Sequence, residues 1–380
     1  MKKIFLFVLL FIAVNLICNE PPVVSNIVVE QRDDGTYFVD IYYDLEDADN
    51  DSMFVSIAAS DDEGDSWSYH IISLSGDTGY DIISGNNKHI IWDFAADHPE
   101  VLNIPAMIKI TADDRNAGYE WCLVEAGTYT WGQYDEIQTI DYDYEIMKYK
   151  VTNAQYVVYL EEALEASEVW IEDDDVYGYY EGDENYDAGN YVFYDLGTPV
   201  DYNYGQISYN GNSFLINVPS GYSAGDFDDH PVVEVSWFGS DAFAEHYGWK
   251  LPTEQEWEKA ARGMTGYEYP WGDNWSGDRA NYKDSGDPWD NGTTPVGYYN
   301  GENGTTDSPS PYGCYDMCGN VVGWTDTWFS GTIPCRVLRA GLWNNSYSSD
   351  VLRSWYRNVD YRGSTLTDSL FGFRCVRTLP

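Results

Sequence analysis

Hydrophobic and polar residues alternate along the first third of the chain with the period of β-strands. Acidic or glycine-containing turns separate runs of this kind, and five runs stand out: residues 25–30, 37–43, 53–59, 89–93 and 106–111. Short strands at such spacing are typical of a sandwich of two antiparallel sheets. The pattern therefore predicts an immunoglobulin-like β-sandwich over residues 21–115.

Beyond residue 118 the period changes, and helical segments follow short strands and glycine turns. Asn153 is a candidate N-cap of a first helix, and Ser236 is a candidate N-cap of a second helix. Thr253 and Glu256 have the spacing of a capping box at the start of a third helix. The predicted fold class is an all-β sandwich followed by an irregular α+β domain.

Residues 169–229 interrupt the second region with an acidic stretch that is rich in tyrosine and glycine. Turn-forming residues at this density predict a long loop or a small hairpin insertion. Clustered tyrosines can form a binding surface. We interpret them here as half-buried strand surface.

The first 18 residues have the pattern of a secretory signal peptide. Lys2 and Lys3 precede an apolar run of about eleven residues, which is short for the roughly 20 residues of a membrane-spanning helix. We therefore expect an exported protein, whether periplasmic, surface-bound or secreted, with no membrane span in the mature chain. Cys18 offers a lipoprotein alternative, but Ile17 before it matches that signal poorly.

The charge of the chain excludes one class of partner. With 64 Asp and Glu residues against 20 Lys and Arg residues, the formal net charge is −44. Phosphate backbones require clustered cations, so we expect no nucleic-acid binding. Since 43% of the residues are hydrophobic and 17% aromatic, the chain can still form a folded core.

Five cysteines follow Cys18, and their odd number leaves one thiol over if disulfides form in an exported chain. Their spacing alone does not determine the disulfide pairing. Cys314 and Cys318 are close in sequence, but there is no second nearby pair of cysteines, as a zinc site would need. The five are Cys122, Cys314, Cys318, Cys335 and Cys375.

Motifs over residues 118–380 resemble the formylglycine-generating enzymes, also called sulfatase-modifying factors, and occur in the order found in that family. They are Gly127-Thr128, Val151-Thr152-Asn153, the HPVVEVSW run at 230–237, the helix at 251–263, YPWG at 269–272, PVG at 295–297, the YGCYDMCGNV run at 312–321, RVLR at 336–339 and GFR at 372–374. The resemblance implies a C-type-lectin-like α+β fold for this region.

The resemblance also implies a copper chemistry that this chain lacks the residues to perform. Enzymes of the family oxidise a cysteine of a sulfatase through two copper-binding cysteines, since Cu(I) prefers thiolates. Those cysteines belong after the 336–341 segment, where no cysteine occurs between Cys335 and Cys375. We therefore expect no copper and no catalytic residue. The family's structural disulfide at Cys375 is also in doubt, because its usual partner position is Ala244 and Cys122 is the alternative partner.

Structural calcium is the cofactor that the resemblance does support, at two sets of oxygen donors. Mixed carboxylate, amide and main-chain oxygens suit Ca²⁺. The first set is Asn281, the carbonyl of Tyr282, Asp287 and the carbonyl of Trp289, with Asp284 or Asp290 as substitutes for Asp287. The second set is Asp316 with the carbonyls of Gly319 and Val321, and it lacks the family's glutamate, which is Gly323 here. The acidic loop 44–51 could also hold Ca²⁺, although we favour a solvated loop.

Residues 342–371 occupy the place of the family's active-site region and resemble the ligand-binding ends of family members that act as displayed receptors. Rigid aromatic side chains beside Asn and Arg donors are typical of binding surfaces. The candidate ligand-binding residues are Trp343, Asn344, Asn345, Tyr347, Arg353, Trp355, Tyr356 and Arg357. In the alternative interpretation, the two arginines Arg353 and Arg357 pair with buried acids and the aromatic residues fill the core.

Three functions follow from this pattern. The first is a catalytically inactive, exported relative of formylglycine-generating enzymes that binds a protein or glycan ligand. The second is an oxidoreductase of the sulfatase-modifying-factor type that converts a target cysteine to formylglycine. The third is a structural component of the cell surface.

Overall fold

The computed structural model describes residues 22–47, 53–60, 71, 73–99, 107–113, 119–197, 204–289, 291–329, 335–344, 349–359 and 363–378. The predicted signal peptide, Asp290, Asn345 and Tyr347 lie outside the described residues, as does half of the acidic loop 44–51. The chain divides into two compact units, Met1–Gly118 and Tyr119–Pro380. Within the described residues, none of the helices has the length and hydropathy needed to cross a membrane.

The described part of the first unit is built from antiparallel strands and one helical turn. The strands are β1 (Val23–Gln31), β2 (Phe38–Glu46), β3 (Met53–Ser60), β4 (Leu74–Gly76), β5 (Gly79–Ile82), β6 (Gly85–Asp93) and β7 (Met107–Asp113), and the turn is α1 (Phe94–Asp97). One sheet has the order β1-β2-β6-β4 and the other has the order β5-β3-β7. Strands occupy all five positions that the alternation indicates, whereas the short β4 and β5 were not expected.

Alternation along β2 shows why these residues form a two-sided sheet. Val39, Ile41, Tyr43 and Leu45 are buried, and the residues between them are only partly buried. Successive side chains of a strand point to opposite faces, so one face of β2 enters the core that both sheets share. The immunoglobulin-like assignment of this unit stays a prediction.

The second unit contains small sheets joined by long irregular segments. Its strands are β8 (Trp121–Val124), β9 (Gly127–Trp131), β10 (Glu136–Ile140), β11 (Tyr144–Met147), β12 (Val169–Glu172), β13 (Asp175–Tyr180), β14 (Gly189–Asp195), β15 (Gln206–Tyr209), β16 (Phe214–Asn217), β17 (Val322–Trp328), β18 (Arg336–Arg339), β19 (Arg357–Val359), β20 (Phe371–Gly372) and β21 (Val376–Thr378). The sheet orders are β10-β9, β21-β11-β8, β12-β13-β14, β15-β16 and β19-β18-β17-β20. Residues 169–229 thus contribute a three-stranded sheet and a hairpin, which is more strand than the predicted long loop or small hairpin.

Three α-helices, α2 (Asn153–Glu165), α3 (Trp237–His246) and α4 (Glu254–Arg262), complete this unit together with 3₁₀ turns at Gly277–Arg279 and Ser349–Leu352. Ser236 caps α3, which confirms its predicted role. The predicted N-cap of α2 was wrong by one residue, because Thr152 and Gln155 form the capping box there. Asn153 is instead buried, and its amide donates to the carbonyl of Phe227.

Helix α4 is the element that organises the candidate site. The predicted capping box between Thr253 and Glu256 is present, and Gly263 forms the C-cap with a φ of 51°. The helix packs against β9, β17 and β18. Its buried residues include three glutamates, Glu254, Glu256 and Glu258, so the helix places negative charge inside the fold.

Candidate functional site

A cavity of about 310 Å³ opens between the end of β9 and the segment that leads into β19. We call it the aromatic cavity. Its lining residues are Trp131, Gly132, Gln133, Glu258, Trp355, Tyr356 and Arg357. Three aromatic rings, an amide, a carboxylate and a guanidinium therefore converge on one concave surface, a combination suited to holding a small group of a ligand.

Two buried glutamates beneath this cavity are held by one arginine. Arg339 lies 2.7 Å from Glu254 through Nη1 and 2.7 Å from Glu258 through Nη2, and its side chain is fully buried. Arg262 adds a second cation 3.3 Å from Glu258. Buried carboxylates are tolerated when paired and hydrogen-bonded in this way. The backbone N–H of Gly132 also donates to Glu258 at 2.6 Å, which ties the cavity wall to the network.

Two predicted binding residues, Arg353 and Trp355, share an acidic partner at the other side of the cavity. Nε1 of Trp355 donates to the Glu268 carboxylate at 3.0 Å, and Nε of Arg353 lies 3.1 Å from the same carboxylate. Arg353 also pairs with Asp350 and lies over the Trp355 ring, 5.3 Å from its centroid. These contacts orient the Trp355 ring before any ligand binds.

The predicted set of binding residues divides into two groups. Trp355, Tyr356 and Arg357 line the aromatic cavity. Trp343 is 3% exposed, packs in a small apolar cluster and donates its indole N–H to the carbonyl of Ser369. For Trp343 the core-filling alternative therefore describes its environment, whereas Asn344 is exposed.

Four residues that line the cavity were not among the binding residues predicted from the sequence. Trp131, Gly132 and Gln133 follow strand β9, and Glu258 belongs to α4. The strand-and-turn pattern at 127–132 was visible in the sequence. Its proximity to residues more than 200 positions later could not be inferred, because it depends on how β9 packs against α4.

The described thiols lie away from the aromatic cavity. None of the residues that line it is a cysteine, and all five cysteines after residue 18 are buried. Burial raises the pKa of the Cys318 and Cys375 thiols above the ordinary range. Neutral buried thiols are poor ligands for a metal that binds thiolates.

The first predicted calcium set provides oxygen donors in suitable surroundings. Asn281 is buried, and its Nδ2 donates to the carbonyl of Gly292 at 2.9 Å, so the opposite amide oxygen is the atom available to a cation. The Asp287 carboxylate accepts hydrogen bonds from the backbone of Trp289 and the hydroxyl of Tyr299. The donors fit Ca²⁺ by type.

The second predicted set contains a cationic side chain of the protein itself. The amino group of Lys150 donates to the main-chain oxygen of Asp316 at 2.5 Å, and Gly297 donates to its carboxylate at 2.7 Å. Burial and then the neighbouring Arg374 lower the pKa of Lys150 to about 7. The carboxylate that this set would offer to a metal ion is therefore already bound by the Gly297 N–H, and the carbonyl of Asp316 is bound by Lys150. In the described part of the chain, no group of three or more His, Cys, Asp or Glu side chains is placed to hold a metal.

Curated relatives match parts of the chain. The serine/threonine-protein kinase pkn1 of Chlamydia pneumoniae is 36% identical over 168 residues, covering 40% of this chain and 24% of the relative. The inactive C-alpha-formylglycine-generating enzyme 2 of Bos taurus is 34% identical over 160 residues, covering 39% and 50%. The formylglycine-generating enzyme of Streptomyces coelicolor is 35% identical over 180 residues, covering 39% and 52%. The chain spans about half the length of these relatives or less.

A solved structure of CarF is 20% identical, with a TM-score of 0.46, and the match covers 69% of this chain and 99% of that chain. The sulfatase-modifying factor enzyme 1-like domain matches residues 108–379, more than half of the sequence. This match carries the C-type-lectin-like fold expected for the second unit. The chain therefore belongs to the sulfatase-modifying factor family, which includes the formylglycine-generating enzymes.

Proposed function

We propose that this chain is an exported, catalytically inactive member of the family that binds a ligand through its aromatic cavity. The observation that carries the proposal is the lining of that cavity, which contains three aromatic rings and an arginine but no cysteine. Copper-dependent oxidation requires thiolate ligands next to the substrate. A relative named as inactive shows that such members exist in the family.

The chemistry of the cavity indicates the ligand class. Arg357 pairs with buried Glu254, as the alternative interpretation of the sequence expected, but its side chain is still 42% exposed and can donate further hydrogen bonds to a ligand. Trp131 and Trp355 offer apolar faces at low conformational cost. We infer a protein or glycan ligand that presents a carboxylate or another anionic group beside an apolar surface.

A direct assay tests the absence of catalysis. The purified chain, loaded with copper under oxygen, is incubated with a cysteine peptide of the sulfatase type, and formylglycine is measured by mass spectrometry. The formylglycine-generating enzyme of Streptomyces coelicolor is the positive control. We expect no product from this chain. Copper-dependent product would overturn the proposal in favour of the oxidoreductase alternative.

Arrays of glycans and peptides, each with acidic and neutral members, test the binding function. We expect acidic members to bind, and Trp355→Ala and Arg357→Gln each to lower affinity at least 10-fold without loss of folding. The control is Trp170→Ala, which removes an aromatic residue from β12, outside the cavity lining. Equal binding by the wild-type chain and both cavity variants would refute the cavity as the site and favour a purely structural role.

Calcium and the first unit complete the proposal. We propose structural Ca²⁺ at the first set only, where Asn281 and Asp287 supply side-chain oxygens. In the second set, the Lys150 amino group already binds the Asp316 carbonyl. We further propose that the first unit is an immunoglobulin-like accessory module that displays the second unit outside the cytoplasm.

A further inference from the structure

Two of the cysteines are neighbours in the core of the second unit. Cys122 lies in β8 and Cys314 in the segment that leads to β17, and each thiol alters the pKa of the other. Both belong to one apolar cluster. The backbone of Gly313 passes so close that a Cβ added there would lie 3.7 Å from Sγ of Cys122.

The backbone on both sides of this contact is held in place. Cys122 is paired with Ile146 in the β8–β11 ladder. On the other side, the N–H of Tyr315 donates to the carbonyl of Lys148 at 2.9 Å, two residues beyond Ile146. Cys314 accepts a backbone hydrogen bond from Ser310 at 2.8 Å. The same strand end therefore positions both cysteines, so their contact is a property of the fold.

We propose that Cys122 and Cys314 form a disulfide bond when the chain folds in the presence of a disulfide oxidant. The Cys122 thiolate attacks one sulfur of the oxidant's disulfide and releases one thiol. The Cys314 thiol then loses its proton and attacks Cys122 in this mixed disulfide, which releases the second thiol. Two protons and two electrons pass from the cysteines to the oxidant, which ends as a dithiol.

The surroundings of the pair support this order of attack. The neighbouring thiol of Cys314 lowers the pKa of Cys122, and the positive charges of Arg374 and Lys148 act in the same direction. A thiol with a lowered pKa is the better attacking group. Because both side chains are buried in the folded state, the exchange takes place late in folding, after β8 and the Cys314 segment have come together and before the core closes to the oxidant.

The alternative partner considered from the sequence, Cys375, lies in a different apolar cluster from Cys122. Cys318 lies in a third apolar cluster, with Tyr269, Ala280 and Leu352. The proposed bond would join residues 122 and 314, which lie on opposite sides of α2, α3 and α4 in the sequence. It would thus close a long loop that contains most of the second unit.

Peptide mapping of the purified chain without its predicted signal peptide, residues 1–18, tests the proposal without any substitution. The protein is unfolded and refolded in glutathione buffers of increasing glutathione-disulfide content, quenched in acid, alkylated and digested without reduction. We expect one cross-linked peptide that contains Cys122 and Cys314, with Cys318, Cys335 and Cys375 alkylated. Alkylation of all five cysteines in the most oxidising buffer, or a cross-link between any other pair, would overturn the proposal.

Thermal unfolding with and without a reductant gives a second readout. Removal of a long-loop disulfide is expected to lower the Tm by roughly 5–15 °C. We expect this reductant-dependent fall in the wild-type chain and in the matched variant Cys318→Ser, and no fall in Cys314→Ser. A reductant-dependent fall in Cys314→Ser would contradict the assignment. If that variant does not fold, the peptide map of the wild-type chain still decides.

Discussion

Arg357 and Glu254 form a bidentate ion pair that connects the lining of the aromatic cavity to the core. Nη2 of Arg357 lies 2.7 Å from Oε2 of Glu254, and Nε binds the other carboxylate oxygen. The arginine side chain is 42% exposed, whereas the glutamate side chain is 2% exposed. Because Glu254 also binds Arg339, the cation that faces the cavity is connected to the buried network.

We predict that Arg339→Met destabilises the second unit strongly. The substitution leaves Glu258 with Arg262 and Glu254 with Arg357, and it removes the cation that binds both carboxylates. Breaking a buried ion pair by removing one partner costs roughly 3–5 kcal/mol. Chemical denaturation of the wild-type chain and the variant measures the change in the free energy of unfolding.

The matched control for this prediction is Lys148→Met. Lys148 pairs with Glu120 at 2.7 Å, but the side chains are 29% and 61% exposed. An exposed pair contributes about 0–1 kcal/mol. Equal losses in the two variants would show that burial of the Arg339 network does not matter for stability.

How far the sequence predicts this structure depends on the range of the interactions involved. The Ser236 cap and the Thr253–Glu256 capping box are local, so residue types three positions apart were sufficient to predict them. The aromatic cavity is not local, since Trp131 and Trp355 meet only after β9, α4 and the C-terminal segment have packed. The residues that β9 and α4 contribute to its lining therefore could not be predicted from the order of residues along the chain.

The environment of Trp343 illustrates the same limit. The aromatic, Asn and Arg residues near it in the sequence predict a binding surface. Composition does not tell, however, which side of a loop faces the core. Asn320 and Ser369 supply carbonyl partners to its backbone N–H and indole N–H, and both are distant in sequence. Only the packed fold distinguishes this tryptophan from Trp355, which lines the cavity.

We predict that Glu234→Gln makes the protein more stable at pH 8. Burial, and then the charges of Asp195 and Asp368, raise the pKa of Glu234 to about 7 from an ordinary value of 4.5. The folded state therefore binds more protons than the unfolded state between these pH values, so stability falls as pH rises through this window. Removing the charge is expected to recover about 1–3 kcal/mol at pH 8.

Thermal unfolding between pH 4 and 8 checks this prediction. The gain from Glu234→Gln should be greatest above pH 7 and should vanish below pH 4.5. Glu136→Gln removes one negative charge at an exposed position of β10 and is the control for general repulsion in this acidic chain. The same pH-dependent gain in both variants would contradict a specific role for the buried carboxyl group.

We predict that Gly239→Ala destabilises the protein, although alanine favours helices. Gly239 lies in the first turn of α3, and an added Cβ would overlap the carbonyl oxygen of Phe193 in β14. The helix would have to move away from the strand, at a cost of roughly 1–3 kcal/mol. Chemical denaturation measures this cost. Gly189→Ala in β14 is the control, because its nearest atom lies 4.0 Å away, and we expect it to be close to neutral.

We predict that calcium removal lowers the Tm of the second unit. At a calcium concentration about 100 times the Kd, bound metal adds about 2.7 kcal/mol to stability, which corresponds to a shift of roughly 5–10 °C. EDTA should produce this fall in the wild-type chain, and excess Ca²⁺ should reverse it.

Asp287→Asn should remove the response to EDTA, because the proposed site loses its carboxylate. Glu302→Gln, at an exposed position in the same irregular region, should keep the response. An unchanged transition of the wild-type chain in EDTA would contradict structural calcium, and the hydrogen bonds of Asp287 to Trp289 and Tyr299 would then be sufficient to hold this loop.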